Sequence, residues 1–242
     1  MRLPPLIVRW LGRVPWRDAA GLQERLVEAI RSGRSPDHLL LLEHDPVVTL
    51  GRSSHAENLL LDEGALAARG IELHESGRGG DVTFHGPGQL VGYPVVALRE
   101  DRRDLHRYLR DLEEALIRAV AGFGIEATRS PGQTGVWVGD DKLAAIGVRV
   151  STGWITWHGF ALNVGADLSG FETIVPCGIR GKGVTSIARL TGSSPDLREV
   201  AAACARPIAD VLGFEPFASG VEGEGLAIPP PGPLSSPGRR AP

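Results

Sequence analysis

Residues 133–164, QTGVWVGDDKLAAIGVRVSTGWITWHGFALNV, decide the fold. Three runs, 135–138, 143–150 and 154–163, are rich in valine, isoleucine and tryptophan. The turn formers Gly139-Asp140-Asp141 and Ser151-Thr152-Gly153 separate them. This pattern predicts three antiparallel strands joined as a meander. Working outward, residues 104–123 place Leu105, Leu109, Leu112, Leu116 and Val120 at helical spacing ahead of Gly124, which predicts a long amphipathic helix. A second helix is expected over 16–32, with Leu22, Leu26, Val27 and Ile30 on one face, and a short one over 62–69 closed by Gly70. A last helix is expected over 196–212, with Pro195 in its first turn. Strands are expected over 6–10, 38–43, 47–50, 71–75 and 90–98; Pro94 inside the last argues for an edge or a bulge. Helices mixed with meanders, without regular βαβ alternation, indicate α+β: a mixed or antiparallel sheet with flanking helices. Residues 1–219 read as a single domain. Residues 220–242, rich in Gly, Pro and Ser, hold too little apolar content to order themselves and read as a disordered tail.

The net charge of −3 over 242 residues gives no reason to expect nucleic acid or an anionic membrane as partner. No apolar run approaches the roughly 20 residues of a membrane span, and the first sixteen residues lack a signal-peptide core, so a cytoplasmic protein is expected. The two cysteines, Cys177 and Cys204, are expected as free thiols, and no cysteine or histidine spacing suggests a metal. Of the 26 basic residues only Lys142 and Lys182 are lysine. Arginine keeps its proton near neutral pH whereas a desolvated lysine can release one, so a surviving lysine marks a candidate for proton chemistry; chance survival is the alternative.

Three motifs carry candidate chemistry. In Arg78-Gly79-Gly80-Asp81-Val82-Thr83-Phe84-His85-Gly86-Pro87-Gly88-Gln89, paired glycines let the backbone approach a ligand, and Arg78 and His85 are placed to bind a polar tail or polarise a carbonyl; a tight turn with a satisfied core histidine is the alternative. The run lacks the Gly-Lys-Ser/Thr ending of a phosphate loop and the spacing of a dinucleotide site. In Asp141-Lys142-Leu143-Ala144-Ala145-Ile146-Gly147, Lys142 opens an apolar strand, where burial favours the neutral amine; an exposed lysine paired with Asp140 or Asp141 is the alternative. In Val175-Pro176-Cys177-Gly178, the cysteine sits in a loop beside a small neighbour, whereas Cys204, among alanines of the last helix, reads as an inert buried thiol. A cysteine next to a perturbed lysine makes a nucleophile–base pair.

Together these motifs resemble the lipoyl(octanoyl) transferase family. The resemblance spans about residues 39–190 and also takes in residues 42–52, LEHDPVVTLGR, and 158–164, HGFALNV. It implies the catalytic domain shared with biotin and lipoate protein ligases. It implies Cys177 as acyl-thioester nucleophile and Lys142 as its acid/base partner. Residues Arg78, Gly79, Gly80, Asp81, Val82, Thr83, Phe84 and His85, with Ala145, Ile146, Gly147, Gly159, Phe160 and Ala161, would line the acyl site. Phe160 stands where the family usually has leucine, a change expected to alter the pocket's shape and not the chemistry. The implied reaction moves an octanoyl group from octanoyl-acyl carrier protein to a lysine of the lipoyl domains of 2-oxoacid dehydrogenase complexes and of the glycine cleavage H protein. It needs no cofactor, ATP or metal, and a monomer is implied. Arg102, Arg103, Arg107 and Arg110, or Arg180 and Lys182, are the basic groups available to an acidic carrier. The rival readings are an ATP-dependent lipoate or biotin ligase on the same fold, a non-catalytic carrier-binding module, and a thiol hydrolase pairing Cys177 with His85 or His158.

Overall fold

The computed structural model describes residues 3–165, 167–175 and 182–218. Its backbone is an eight-stranded sheet of order β11-β1-β2-β6-β10-β9-β8-β7 and a three-stranded sheet of order β4-β3-β5. β1 (Pro5–Arg13) and β2 (Asp37–Glu43) run parallel, so α1 (Trp16–Arg31) crosses between them; this is a βαβ unit in a sheet otherwise antiparallel apart from β11 (Glu215–Ala218), which runs parallel to β1 at the edge. β6 (Gln89–Val95), β10 (Ile155–Asn163), β9 (Asp141–Ser151), β8 (Gln133–Val138) and β7 (Thr128–Ser130) complete the sheet by antiparallel pairing. The small sheet holds β3 (Val47–Leu50) between β4 (Glu72–Glu75), parallel to it, and β5 (Thr83–His85), antiparallel. α2 (Glu63–Ala67) packs near β4.

Both faces of the large sheet are covered, which is why β2 carries four consecutive leucines, all fully buried. Leu39 and Leu41 face α3 (Leu105–Ala121) and α5 (Leu197–Leu212), joining Leu112, Leu116, Ile208 and Leu212 in one core. Leu40 and Leu42 face α1, joining Leu26 and Val27 with Val91, Tyr93 and Ala161. Asp104 and Asp196 accept from the amides of Arg107 and Arg198 and so cap the two long helices. Pro195 therefore precedes the cap of α5 and is not in its first turn. Strands β5, β7 and β11, and the short α4 (Ile187–Thr191), have no counterpart among the expected elements. No described helix is long and apolar enough to cross a membrane. Residues 220–242, expected as a disordered tail, lie outside the described residues.

Pro94 sits in a central strand, so of the two expectations, an edge or a bulge, the edge is not met and the irregularity lies instead in the neighbouring strand. Pro94 pairs with Leu39 of β2 on one side, and on the other the ladder to β10 stops at Phe160↔Gly92, resuming at the Ala97↔Ile155 bridge. Between them β10 bends at His158, whose φ is 55°. The His158 amide donates to Gln23 Oε1 (2.7 Å) rather than to β6, and the Pro94 carbonyl accepts Thr156 Oγ1–H (2.9 Å). The missing proline N–H thus meets no waiting acceptor, and the bend does the work a sheet edge would have done. Gln23 is 1% exposed, so Gln23→Met is expected to strand the His158 amide and lower unfolding free energy by about 1–3 kcal/mol. Urea unfolding checks this.

Candidate active site

A cavity of about 650 Å³ opens between the large sheet and the small one. Its floor is a patch without side-chain bulk: Gly147 pairs with Gly159, and Ala145 with Ala161, across β9 and β10. Alternation puts all four on one face. Ile146 and Phe160, also cross-strand partners, border the cavity, but their side chains pack into the α3/α5 core. A side chain at Gly147 would meet Gly79 O at 2.9 Å, so the floor also lets the roof come down onto it.

The roof is residues 78–83, held from both sides. Arg52 N–H donates to Arg78 O (2.9 Å), Ser53 N–H to Gly80 O (3.1 Å), and Gly79 N–H reaches Val148 O of β9 (2.9 Å). Arg78 is buried, and its guanidinium is bonded to Thr49: Nη2 to the carbonyl at 2.7 Å and to Oγ1 at 3.0 Å. Asp81 acts as a strut, accepting from Asn58 Nδ2 (2.5 Å) and from the Val82 amide (2.7 Å). Val82 lines the cavity and is itself buried in the small sheet's core. Within β5, Thr83 and His85 line the cavity while Phe84 points away. Its ring packs edge-on against Phe171 at 5.7 Å in the core of the small sheet. Strand alternation removes Phe84 from the set of cavity-lining residues.

His85 and His158 line the cavity with Tyr93, and the fully buried His44 stands behind them, bonded to Tyr93. His85 donates from Nδ1 to Gln89 Oε1 (2.7 Å), because Gln89 spends its amide N–H on Asn163 Oδ1 (2.9 Å). His158 donates from Nε2 to Ser76 O (3.0 Å). Tyr93 OH donates to His44 Nε2 (2.8 Å), whose Nδ1–H goes to Val14 O (2.7 Å). Burial pushes all three imidazoles down, His44 and His158 to about 4 and His85 to about 3, with the Arg78 guanidinium adding to the effect on His85 and His158. They are neutral at pH 7. Burial also raises the Tyr93 phenol above its ordinary value.

Lys142 reaches this cavity through an irregularity. Trp137 stands opposite Lys142, yet Val136 stands opposite Ala144, so Leu143 is one residue too many and forms a bulge. Leu143 and Ala144 both pack into the α3/α5 core, and Lys142 is turned to the cavity side with Ala145. Strict alternation would have put Lys142 on the same face as Ala144. Its stem passes Gly135, whose φ of 132° and bare Cα are both needed, since a Cβ there would lie 2.6 Å from Ala144 O and 3.4 Å from Lys142 Cε. Lys142 is 7% exposed and its Nζ lies 4.8 Å from the Trp137 ring centroid.

Cys177 lies outside the described residues. The chain on either side is fastened to the site: Val175 N–H donates to Asn58 O (2.8 Å), Lys142 N–H donates to Gly183 O (3.0 Å), and Thr185 N–H to Lys142 O (3.0 Å). Cys204 is fully buried in α5, and burial pushes its thiol up to about 12, as expected of an inert core cysteine. Arg102 and Arg103, just ahead of α3, and Arg107 and Arg110 within it, do not line the cavity and are engaged with their neighbours: Arg102 with Asp111 and Val211 O, Arg110 with Glu113, Arg103 with Glu100 and Arg107 with Asp101 O. Arg180 lies outside the described residues. Sequence reasoning did not single out Trp16, Asn58, Gln133 or Thr134 as cavity-lining residues, or Thr49 as the seat of Arg78. Thr49, a polar residue within the apolar run Val47-Val48-Thr49-Leu50, is the one that carried a signal.

The same architecture recurs in solved structures. Lipoate-protein ligase A bound with ATP superposes with a TM-score of 0.68 (21% identity, 90% of this chain and 89% of that one), and the putative lipoate protein ligase Ta0514 from T. acidophilum with bound lipoic acid with 0.69 (19% identity, 92% and 91%). The fold is that of the lipoate protein ligase class. More similar in sequence are the octanoyltransferases of Rubrobacter xylanophilus, 54% identical over 203 residues (84% of this chain, 91% of that one), and of Solibacter usitatus, 51% identical over 208 residues (86% and 93%). The family described as "Lipoyl protein ligase A/B catalytic domain" matches residues 15–209, and the chain belongs to it, among its octanoyltransferases.

Proposed function

We propose that this protein is an acyltransferase that moves an octanoyl group from octanoyl-acyl carrier protein to a lysine of a lipoyl domain, through a thioester on Cys177. The observation that carries the reading is the cavity: a space of about 650 Å³ with a floor of glycine and alanine, lined also by the buried Lys142. Apolar burial drives the alkyl chain in, at about 0.8 kcal/mol per methylene. The Cys177 thiolate attacks the thioester carbonyl, the carrier's thiol leaves, and Lys142 supplies the proton to that sulfur. The acceptor lysine, as a neutral amine, then attacks the Cys177 thioester; its proton passes to Lys142 and the thiolate is released as the amide forms. A thioester is already activated, so these steps balance without ATP or metal. The lipoyl domains of 2-oxoacid dehydrogenase complexes and of the H protein are the acceptors in this reading, and the location is cytoplasmic. An ATP-dependent ligase activity is less supported, because the ligases share about a fifth of the sequence and the octanoyltransferases about half.

Intact-mass measurement after mixing the protein with octanoyl-acyl carrier protein, without nucleotide, tests this. An adduct of one octanoyl group that maps to Cys177 and discharges onto a lipoyl domain is expected. An adduct on Cys204, or none, overturns the nucleophile assignment.

A further inference from the structure

The chain's two lysines converge on one side chain. Lys182 Nζ lies 4.7 Å from the centroid of the Trp137 ring, the ring that also carries Lys142 Nζ at 4.8 Å. Trp137 is 1% exposed, and its Nε1 has no hydrogen-bond partner among the described residues. What the indole offers its neighbours here is its π face, which attracts cations most strongly where water is excluded. Lys182 is further held by Ser130 Oγ (3.2 Å) and by Asp140 (3.5 Å), and its side chain is only 25% exposed. Beyond it, Gly183 and Val184 add to the Lys142 strand: Gly183 O accepts from the Lys142 amide and Val184 bridges to Lys142. A Cβ at Gly183 would strike Asp141 Oδ1 at 2.2 Å, so this return of the chain is pressed against β9.

We propose that Lys182 is a positioning residue for the transfer reaction, latching the chain that leads out of the cysteine segment onto Trp137 and so fixing it beside Lys142. This rests on the reading of Lys142 and Cys177 as the reacting pair. Arginine serves for positive charge almost everywhere else in the chain. At this seat the compact ammonium fits against the ring while bonding to Ser130 and Asp140. Lys182 does not line the cavity, so its removal acts on alignment and leaves the acyl slot intact.

The test is a kinetic double-mutant cycle on the full chain, with K182Q, W137F and the pair, using octanoyl-acyl carrier protein and a lipoyl domain. K182Q is expected to lower kcat about five- to tenfold, the size of one partly desolvated cation–π contact, with KM for the donor changed less than twofold. K182R, which keeps a cation on the ring but gives up the compact ammonium's fit to Ser130 and Asp140, is expected to be faster than K182Q by about two- to threefold and still slower than the unaltered enzyme. In W137F the further loss on adding K182Q is expected to shrink to under about threefold, because the two side chains act as a unit. Fully additive effects, or a K182Q effect confined to KM, overturn the proposal. Adduct mapping on the same variants separates it from the parent reading. A Cys177 adduct that still forms, slowly, in K182Q bears on the latch alone, and an adduct absent from the unaltered chain bears on the nucleophile.

Discussion

Exchanging Lys142 for methionine is expected to slow octanoyl transfer by about 10²–10⁴-fold, the range for losing a positioned acid–base group, and to leave KM for the donor within about threefold. Methionine keeps an unbranched stem beside Gly135 and a polarisable end near the Trp137 ring, so it removes the amine with little change in shape. Single-turnover transfer measured against donor concentration separates the two constants. A kcat within threefold of the unaltered enzyme removes Lys142 from the chemistry. Deleting Leu143 is the geometric counterpart. It makes Lys142 the direct neighbour of core-facing Ala144, so regular alternation keeps the amine on the cavity side, and transfer is expected to stay within about tenfold of the unaltered rate while stability falls by about 2–5 kcal/mol for the lost buried leucine.

Acid is expected to unfold this protein steeply. His44, His85 and His158 hold folded values of about 4, 3 and 4 against an ordinary 6.5. As pH falls below 6.5 the unfolded chain takes up these protons and the folded chain does not. Their contribution to stability is therefore complete above 6.5 and is lost from there down to their folded values. Each costs about 1.4 kcal/mol per pH unit. Asp37 works in the opposite sense: burial raises it to about 6 from 3.8, so the folded state takes up its proton first and gains stability as pH falls across that interval. His38, lowered to about 4 by burial and by the nearby Arg9, acts in the same sense as the other histidines, so the balance is about three protons, or about 4 kcal/mol per pH unit between pH 6 and 4. Against a typical total of about 5–15 kcal/mol, the loss is large within two units. Urea titrations at pH 7, 6 and 5 give the slope. His158→Asn, which tolerates the left-handed backbone there, is expected to reduce it by one proton, and an unchanged slope would contradict the assignment.

The sequence reveals what depends on period. The helical stripes of α1, α3 and α5 and the β8–β10 meander follow from the spacing of apolar residues, because each buries one face against a continuous core. The glycine-rich run identifies a backbone that something approaches closely. The structure shows the approach to be mutual, with the roof resting on Gly147 and stitched to residues 52 and 53. What period cannot reveal is where it breaks. The bulge at Leu143 lets Lys142 face the cavity with Ala145, and no local pattern marks it. The bend at His158 lets Pro94 occupy a central strand, and it depends on Gln23, far away in the chain. Phe84 illustrates the converse: it lies inside the motif but alternation turns it from the cavity, as it turns Ile146 and Phe160. β5 and β7, three residues each, are too short to stand out by composition, β11 is a four-residue run holding a glutamate and a proline, and all three exist through their partners.

One consequence follows from the outermost strand. β11 lies along β1, with Glu215 N–H bonded to Pro4 O. β1 therefore waits, one margin unpaired, until residues 215–218 have been synthesised. A ribosome-bound nascent chain would present that bare margin to any passing strand, so premature release before residue 215 should favour intermolecular pairing over a truncated but orderly monomer.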